Sequence, residues 1–147
     1  MTELSPDTIA KARQSFAAQS LMTLIGAEMT DLAHGSCQIS APIPDNMRQH
    51  HGYGHAALTF GLGDTAAGYA ALSVMPEGHE VLTSEIKINL LAPASGDRLI
   101  AEGRVLRTGR RLIPVEADVW AEQDGQRTLI ARLLGTMVPV PIRPAAT

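Results

Sequence analysis

Hydrophobic and polar positions change period twice along the chain. Downstream of residue 80 they alternate. In "EVLTSEIKINLLAP", Leu82, Ser84, Ile86, Ile88 and Leu90 fall on one side, and Val81, Thr83, Glu85, Lys87 and Asn89 on the other. "DRLIAEGRVLRTG", "RRLIPVEADVWAEQDG" and "QRTLIARLLGTMVPV" follow, with Ile113, Val115, Ala117 and Val119 sharing a face and Asp124-Gly125 as a tight turn. A period of two over four long segments predicts an antiparallel meander.

Upstream, the run from Ala56 to Met75 is apolar nearly all round, which predicts a helix buried on most sides. Gly61, Gly63 and Gly68 each cost such a helix about 1 kcal/mol relative to alanine, so close packing must support it. "MPEGHE" ends it. Before it lie two short segments around His34-Gly35, which suit a β-hairpin, and a loop, "PDNMRQHHGYGH". At the start, Ser5 as N-cap and Pro6 at the first helical position predict a helix over about 6–19, with Ile9, Ala12 and Phe16 on one face. No repeat or linker interrupts this order. The expectation is one α+β domain over 1–147, with a core over about 26–140 in which a long antiparallel sheet curls around one apolar helix.

Composition narrows the function classes. The chain has 147 residues, of which 45% are hydrophobic, enough for a core, and its net charge of −3 argues against non-specific nucleic-acid binding. Aromatics at 3% leave no stacking platform for single strands. The longest apolar stretch is broken by Asp64 and by glycines, so no membrane span is expected. The N-terminus is polar and Cys37 is the sole cysteine, which together predict a cytoplasmic protein without a disulfide.

Asp64 is the one acid in the apolar run, with no Lys or Arg within a turn on either side. An unpaired buried charge is costly, so the carboxylate is either satisfied by backbone and water or held there to react. The preceding loop carries Gln49, His50, His51 and His55. A helix starting near Ala56 presents free N–H groups and the positive end of its dipole, which stabilise an oxyanion. A carboxylate two turns along can serve as base or nucleophile on a carbonyl held at such an end. A metal on His51 and His55 would need a helix there, which Gly52 and Gly54 oppose. Arg104, Arg107, Arg110 and Arg111 cluster near a hairpin and suit either phosphate contacts or a solvated face. Tyr53 and Tyr69 suit either an acyl pocket or packing.

"GHAALTFGLGDTAAG" resembles the signature of hotdog-fold acyl-CoA thioesterases of the PaaI-like, 4-hydroxybenzoyl-CoA thioesterase-related group. That pattern runs His-Gly-Gly at the helix start with an acid nine residues after the His, an interval kept by His55 and Asp64. Gln49 stands where the family often has Asn or Gln, and Thr83 where it often has Ser or Thr. "TSEIKINLLAPASGDRLIAEGRVLRTGRRL" is similar to the family's strand, proline-containing turn and hairpin, so the likeness covers roughly Gly26 to Val140. The chain departs from the pattern in reading His55-Ala56-Ala57, which keeps the backbone N–H but adds a methyl group.

The resemblance implies a hotdog fold with an extra N-terminal helix. It implies hydrolysis of an acyl thioester to a free acid and coenzyme A, with no metal and no cofactor beyond the coenzyme A of the substrate. It further implies a homodimer or dimer of dimers with sites between subunits. Ala56 N–H would polarise the carbonyl, Asp64 of the other chain would attack or activate water, and Gln49 and Thr83 would orient the reactants. His55 would shape the helix entrance, and His55, Ala57, Gly52, Arg110 and Arg111 would bind the substrate. The rivals are a hotdog module that binds acyl-CoA without cleaving it, and a hotdog dehydratase or hydratase.

Overall fold

The computed structural model describes residues 2–143. Helix α1 (Pro6–Ala17) begins as its sequence predicts, with Ser5 Oγ accepting from Thr8 N–H and Pro6 in the first turn. It ends two residues short of the expected Gln19. Gln19 turns extended, and a second, unanticipated helix α2 (Ser20–Leu24) follows. Strands β1 (Glu28–Ala33) and β2 (Ser36–Pro42) form the hairpin expected around His34-Gly35. The next loop holds one 3-10 turn, Asp45–Met47. Helix α3 (Ala56–Leu72) is the apolar run, and β3 (His79–Leu90), β4 (Arg98–Val105), β5 (Ile113–Gln123) and β6 (Gln126–Pro141) complete the chain.

All six strands form one antiparallel sheet in the order β1-β2-β4-β5-β6-β3. This corrects the expected four-strand meander. β4, β5 and β6 do follow one another, but β3 crosses to the far side and pairs with β6, leaving β2 beside β4. Alternation fixes which residues share a face and says nothing about which strand lies alongside. The expected faces of β3 also need correction. A bulge between Thr83 and Glu85 inserts one residue, so Val81 and Thr83 share the helix-facing side with Ile86 and Ile88 rather than opposing them. Thr83 lies beside Met137 and Ile88 beside Leu133, both fully buried against the helix side.

Helix α3 rests on the concave face of this sheet. Leu62, Ala66, Ala67, Ala70 and Ala71 are sealed against Ile39, Leu99, Val115, Val119 and Leu133. The glycines explain how the helix comes so close. A Cβ at Gly103 of β4 would overlap the backbone of Ala66 and Ala67, and one at Gly63 would come within 2.8 Å of the Leu133 side chain. Helix and sheet therefore meet backbone to backbone at Gly103, and the close fit at Gly63 offsets the intrinsic cost of that glycine. Gly61 and Gly68 make no such approach, their nearest neighbours being Leu21 at 3.9 Å and Val81 at 4.0 Å, so the expected packing support holds for one of the three. The opposite face of the sheet is polar. There Arg104 and Arg132 clamp the buried Asp118 at 3.1 and 2.6 Å, and Arg104 also reaches Glu116.

Candidate active site

The start of α3 is built by the loop before it. His55 N–H donates to Met47 O (3.0 Å) and Gly54 N–H to Ala94 O (2.8 Å). A Cβ on Gly54 would sit 3.1 Å from Ile43 and 3.2 Å from Ala94, a tight fit in which those side chains would have to give by a few tenths of an ångström. Gly52, at φ +88°, makes the turn that brings Gln49 and Tyr53 together, and its carbonyl accepts from Arg48.

His55 is the N-cap. Its Nδ1 accepts from Ala57 N–H at 2.9 Å, which requires a neutral ring with its proton on Nε2. Leu58 N–H is bonded to His55 O. Among the described residues this leaves Ala56 N–H alone without an acceptor, at the positive end of a 17-residue helix. Ala56 is exposed and lines a cleft of about 460 Å³ with Gln49, Tyr53, Thr59, Leu90 and Ile130. The carbonyl oxygen of the Gln49 side chain is held by His51 N–H, so its amide NH₂ is the end left for a ligand. Ala57 has its N–H engaged, and its methyl group lines an apolar groove with Leu21, Ile25, Met47 and Gly61.

Two turns along, Asp64 is half-buried. Thr83 Oγ1 donates to its Oδ1 at 2.7 Å. The same hydroxyl lies 3.3 Å from Met137 Sδ, but it has a single proton, and the nearer charged oxygen takes it. The β3 bulge is what turns Thr83 toward the helix. Thr65 Oγ1 bonds back to Gly61 O and does not reach the acid. Asp64 therefore has no cation partner and keeps Oδ2 free among the described residues. It lines a pocket of about 230 Å³ with Ser15, Gln19, Tyr69, Glu80 and Thr83.

Within one protomer the predicted residues thus gather in two places. Gln49, Gly52, His55 and Ala56 stand at the helix start, and Asp64 and Thr83 stand at the second pocket. Arg110 and Arg111 lie on the exposed β4–β5 loop, outside both, with no ion pair among the described residues. Tyr69 is a packing residue: its ring lies edge-on to Phe16 with only 3% of its surface exposed, and it also borders the Asp64 pocket. Burial pushes its phenol pKa up, against hydrogen bonds from Ser15 and Gln19 that pull it down. Ser15, Gln19 and Glu80 were not singled out in the sequence, where they read as ordinary polar positions of an N-terminal helix and a strand.

Residues 51–128 match the family model of the thioesterase superfamily. The chain belongs to that superfamily. The structure of a thioesterase family protein from Silicibacter pomeroyi superposes with a TM-score of 0.89 at 36% identity, covering 91% of this chain and 98% of the other. The E. coli PaaI protein, from the phenylacetic acid degradation operon, shares the fold at TM-score 0.83 and 22% identity, over 93% of this chain and 96% of that one. A Bacillus halodurans protein solved with CoA aligns at TM-score 0.74 and 25% identity, over 91% of this chain and 84% of that one. This thioesterase is a thioester hydrolase of hotdog fold, as its signature implies. No helix among its described residues is long and apolar enough to cross a membrane.

Proposed function

We propose that this thioesterase hydrolyses acyl-CoA at sites shared by two copies of the chain, one copy supplying Ala56 N–H and Gln49, the other Asp64 and Thr83. One observation carries this reading. The free N–H and the free carboxylate oxygen lie on one helix, eight residues apart, and open into different clefts. Eight residues of α-helix span about 12 Å. A thioester needs its oxygen about 3 Å from the donor and its carbon within about 3.5 Å of the attacking atom. One protomer cannot meet both demands, whereas two helices side by side and antiparallel can. Further support comes from β3, a 12-residue edge strand with Leu82 and Leu90 more than half exposed, next to Thr83. A long edge strand presents a row of unpaired N–H and C=O groups that a second chain can pair with.

In this mechanism the carbonyl oxygen accepts from Ala56 N–H, and the helix dipole favours the charge that develops there. Asp64 Oδ2 takes a proton from water, whose oxygen attacks the carbonyl carbon. The tetrahedral intermediate collapses with cleavage of the C–S bond, and the thiolate leaves as coenzyme A with that proton. The carboxylate can instead attack directly and form an anhydride that water then opens. Single turnover in ¹⁸O-water tests the direct route: an anhydride opened at the Asp64 carbon leaves ¹⁸O in Asp64, whereas water activated by Asp64 puts the label only into the product acid. The unpaired Arg110 and Arg111 offer contacts to coenzyme A phosphates. The lone thiol of Cys37 favours a cytoplasmic setting.

The test is complementation. Asp64→Asn alone loses about 10²–10⁴ in kcat. Mixed and reassociated with a copy lacking the Ala56 N–H, it regains about a quarter of wild-type activity, because half the dimers then carry one intact site of two. Acyl-CoA binding without thiol release by the wild type identifies a binding module and overturns the reading. So does full activity in Asp64→Asn.

A further inference from the structure

The Asp64 pocket is lined by α3 and β3 and also by Ser15 and Gln19 from the N-terminal segment, which lie 2.9 Å (Oγ) and 3.0 Å (Nε2) from the hydroxyl of Tyr69 on α3. A second cavity of about 400 Å³ lies immediately beyond, lined by Lys11, Leu72, Met75 and His79. Leu72 borders both cavities. Glu80 lines the first and Lys11 the second, and the two are joined across the divide by an ion pair at 3.7 Å. Lys11 is anchored further by donating to His79 O at 3.2 Å. The partition is therefore one leucine and one charge pair that ties α1 to β3.

We propose that this partition sets the length of the acyl group: the chain attached to the reacting carbonyl enters the Asp64 pocket and is stopped by the Lys11–Glu80 pair and Leu72. The proposal rests on the reading of Asp64 as the reacting carboxylate. At about 230 Å³ the pocket is somewhat larger than the apolar cavity of about 150 Å³ that accepts one benzene ring. It suits a short chain or a single ring. Merged with the space behind, it would more than double. The polar lining also works against a long alkyl chain, which would take water from Gln19, Glu80 and Thr83 without replacing its hydrogen bonds. Helix α1 thus supplies one half of the length stop, Lys11, and Leu72 of α3 and Glu80 of β3 supply the rest.

Both partners of the pair are about two-fifths exposed, so their removal leaves the core untouched. The experiment measures kcat/KM by thiol release for straight-chain acyl-CoAs of about two to sixteen carbons, with thermal unfolding recorded for each variant. Wild type is expected to lose activity steeply beyond about eight carbons. In Lys11→Ala and Glu80→Ala the ratio of kcat/KM for a ten-carbon over a four-carbon substrate rises about tenfold, the range set by one or two methylene contacts. Glu80→Gln, which keeps the plug's volume, retains the wild-type profile. An unchanged profile in folded Lys11→Ala and Glu80→Ala, or a wild type that prefers sixteen carbons, overturns the proposal. If Asp64→Asn is inactive in the same assay, that failure falls on the partition alone. An active Asp64→Asn removes both this proposal and the one it rests on.

Discussion

Proline at position 56 would delete one hydrogen-bond donor and almost nothing else. Ala56 is the first residue of α3, the position where proline is most at home in a helix, since its ring is preset for helical φ and its missing N–H bonds to no carbonyl there. The residue before a proline must be extended, and His55 already has φ −63° and ψ 143°. The Ala57 cap on His55 Nδ1 and the Leu58 bond to His55 O are unaffected. Ala56→Pro should therefore fold, and gain about 0.4–1 kcal/mol from the stiffer unfolded chain. Its catalysis should collapse. Loss of one oxyanion donor costs about 10²–10³ in kcat, or roughly 2.7–4 kcal/mol. Thiol release from acyl-CoA, read beside thermal unfolding, measures both effects. The readout is clean because Cys37, the chain's only thiol, is buried with its pKa pushed up to about 12, mainly by burial. Ala56→Gly is the companion variant, since it keeps the N–H while removing the methyl group. An Ala56→Pro enzyme that melts at or above wild type and turns over at the wild-type rate would refute the oxyanion role.

Three further outcomes follow from the geometry. Thr83→Val keeps the strand but removes the donor to Asp64, and kcat/KM should fall about 10- to 150-fold, the worth of a hydrogen bond to a charged group, with little change in unfolding temperature. Gly103→Ala should destabilise by about 1–3 kcal/mol or more in chemical denaturation, because the new methyl meets the backbone of α3 and no side chain can give way. Asp118 tests the pH dependence of stability. Its pKa is lowered by the hydrogen bond from Arg132 and then by Arg104, so its contribution is fully present above the unfolded value near 3.9 and is lost as pH falls through the lower folded one. The gap in melting temperature between wild type and Asp118→Asn should be constant above about pH 5 and close steadily below about pH 4.

The residues that could be read from the sequence are those whose role is written in local pattern. Ser5-Pro6 announces α1, a run apolar nearly all round announces α3, and the isolation of Asp64 within that run singles it out as a candidate. Strand order was illegible because β3 alternates equally well beside β4 or β6, and only the crossover over α3 decides between them. The bulge at Thr83–Glu85 was illegible for a related reason. Ser84 continues the alternation on paper, yet one extra residue in the strand reverses every face behind it. Thr83 was picked from the family resemblance, and its aim at Asp64 depends on that bulge. The pocket wall at Ser15 and Gln19 is purely tertiary, since nothing within α1 records that Tyr69, some fifty residues away, stands opposite.

The seating of α3 on Gly103, with its own Gly63 against Leu133, separates two kinds of evolutionary freedom. The inner side of the helix is committed, by main-chain contact at Gly103 and by buried side chains such as Leu62, whereas Ala57, Phe60, Gly61, Thr65 and Gly68 lie outside that contact and are exposed or half-buried. Selection can rewrite that outer row to suit a new acyl group while the seat on the sheet stays as it is.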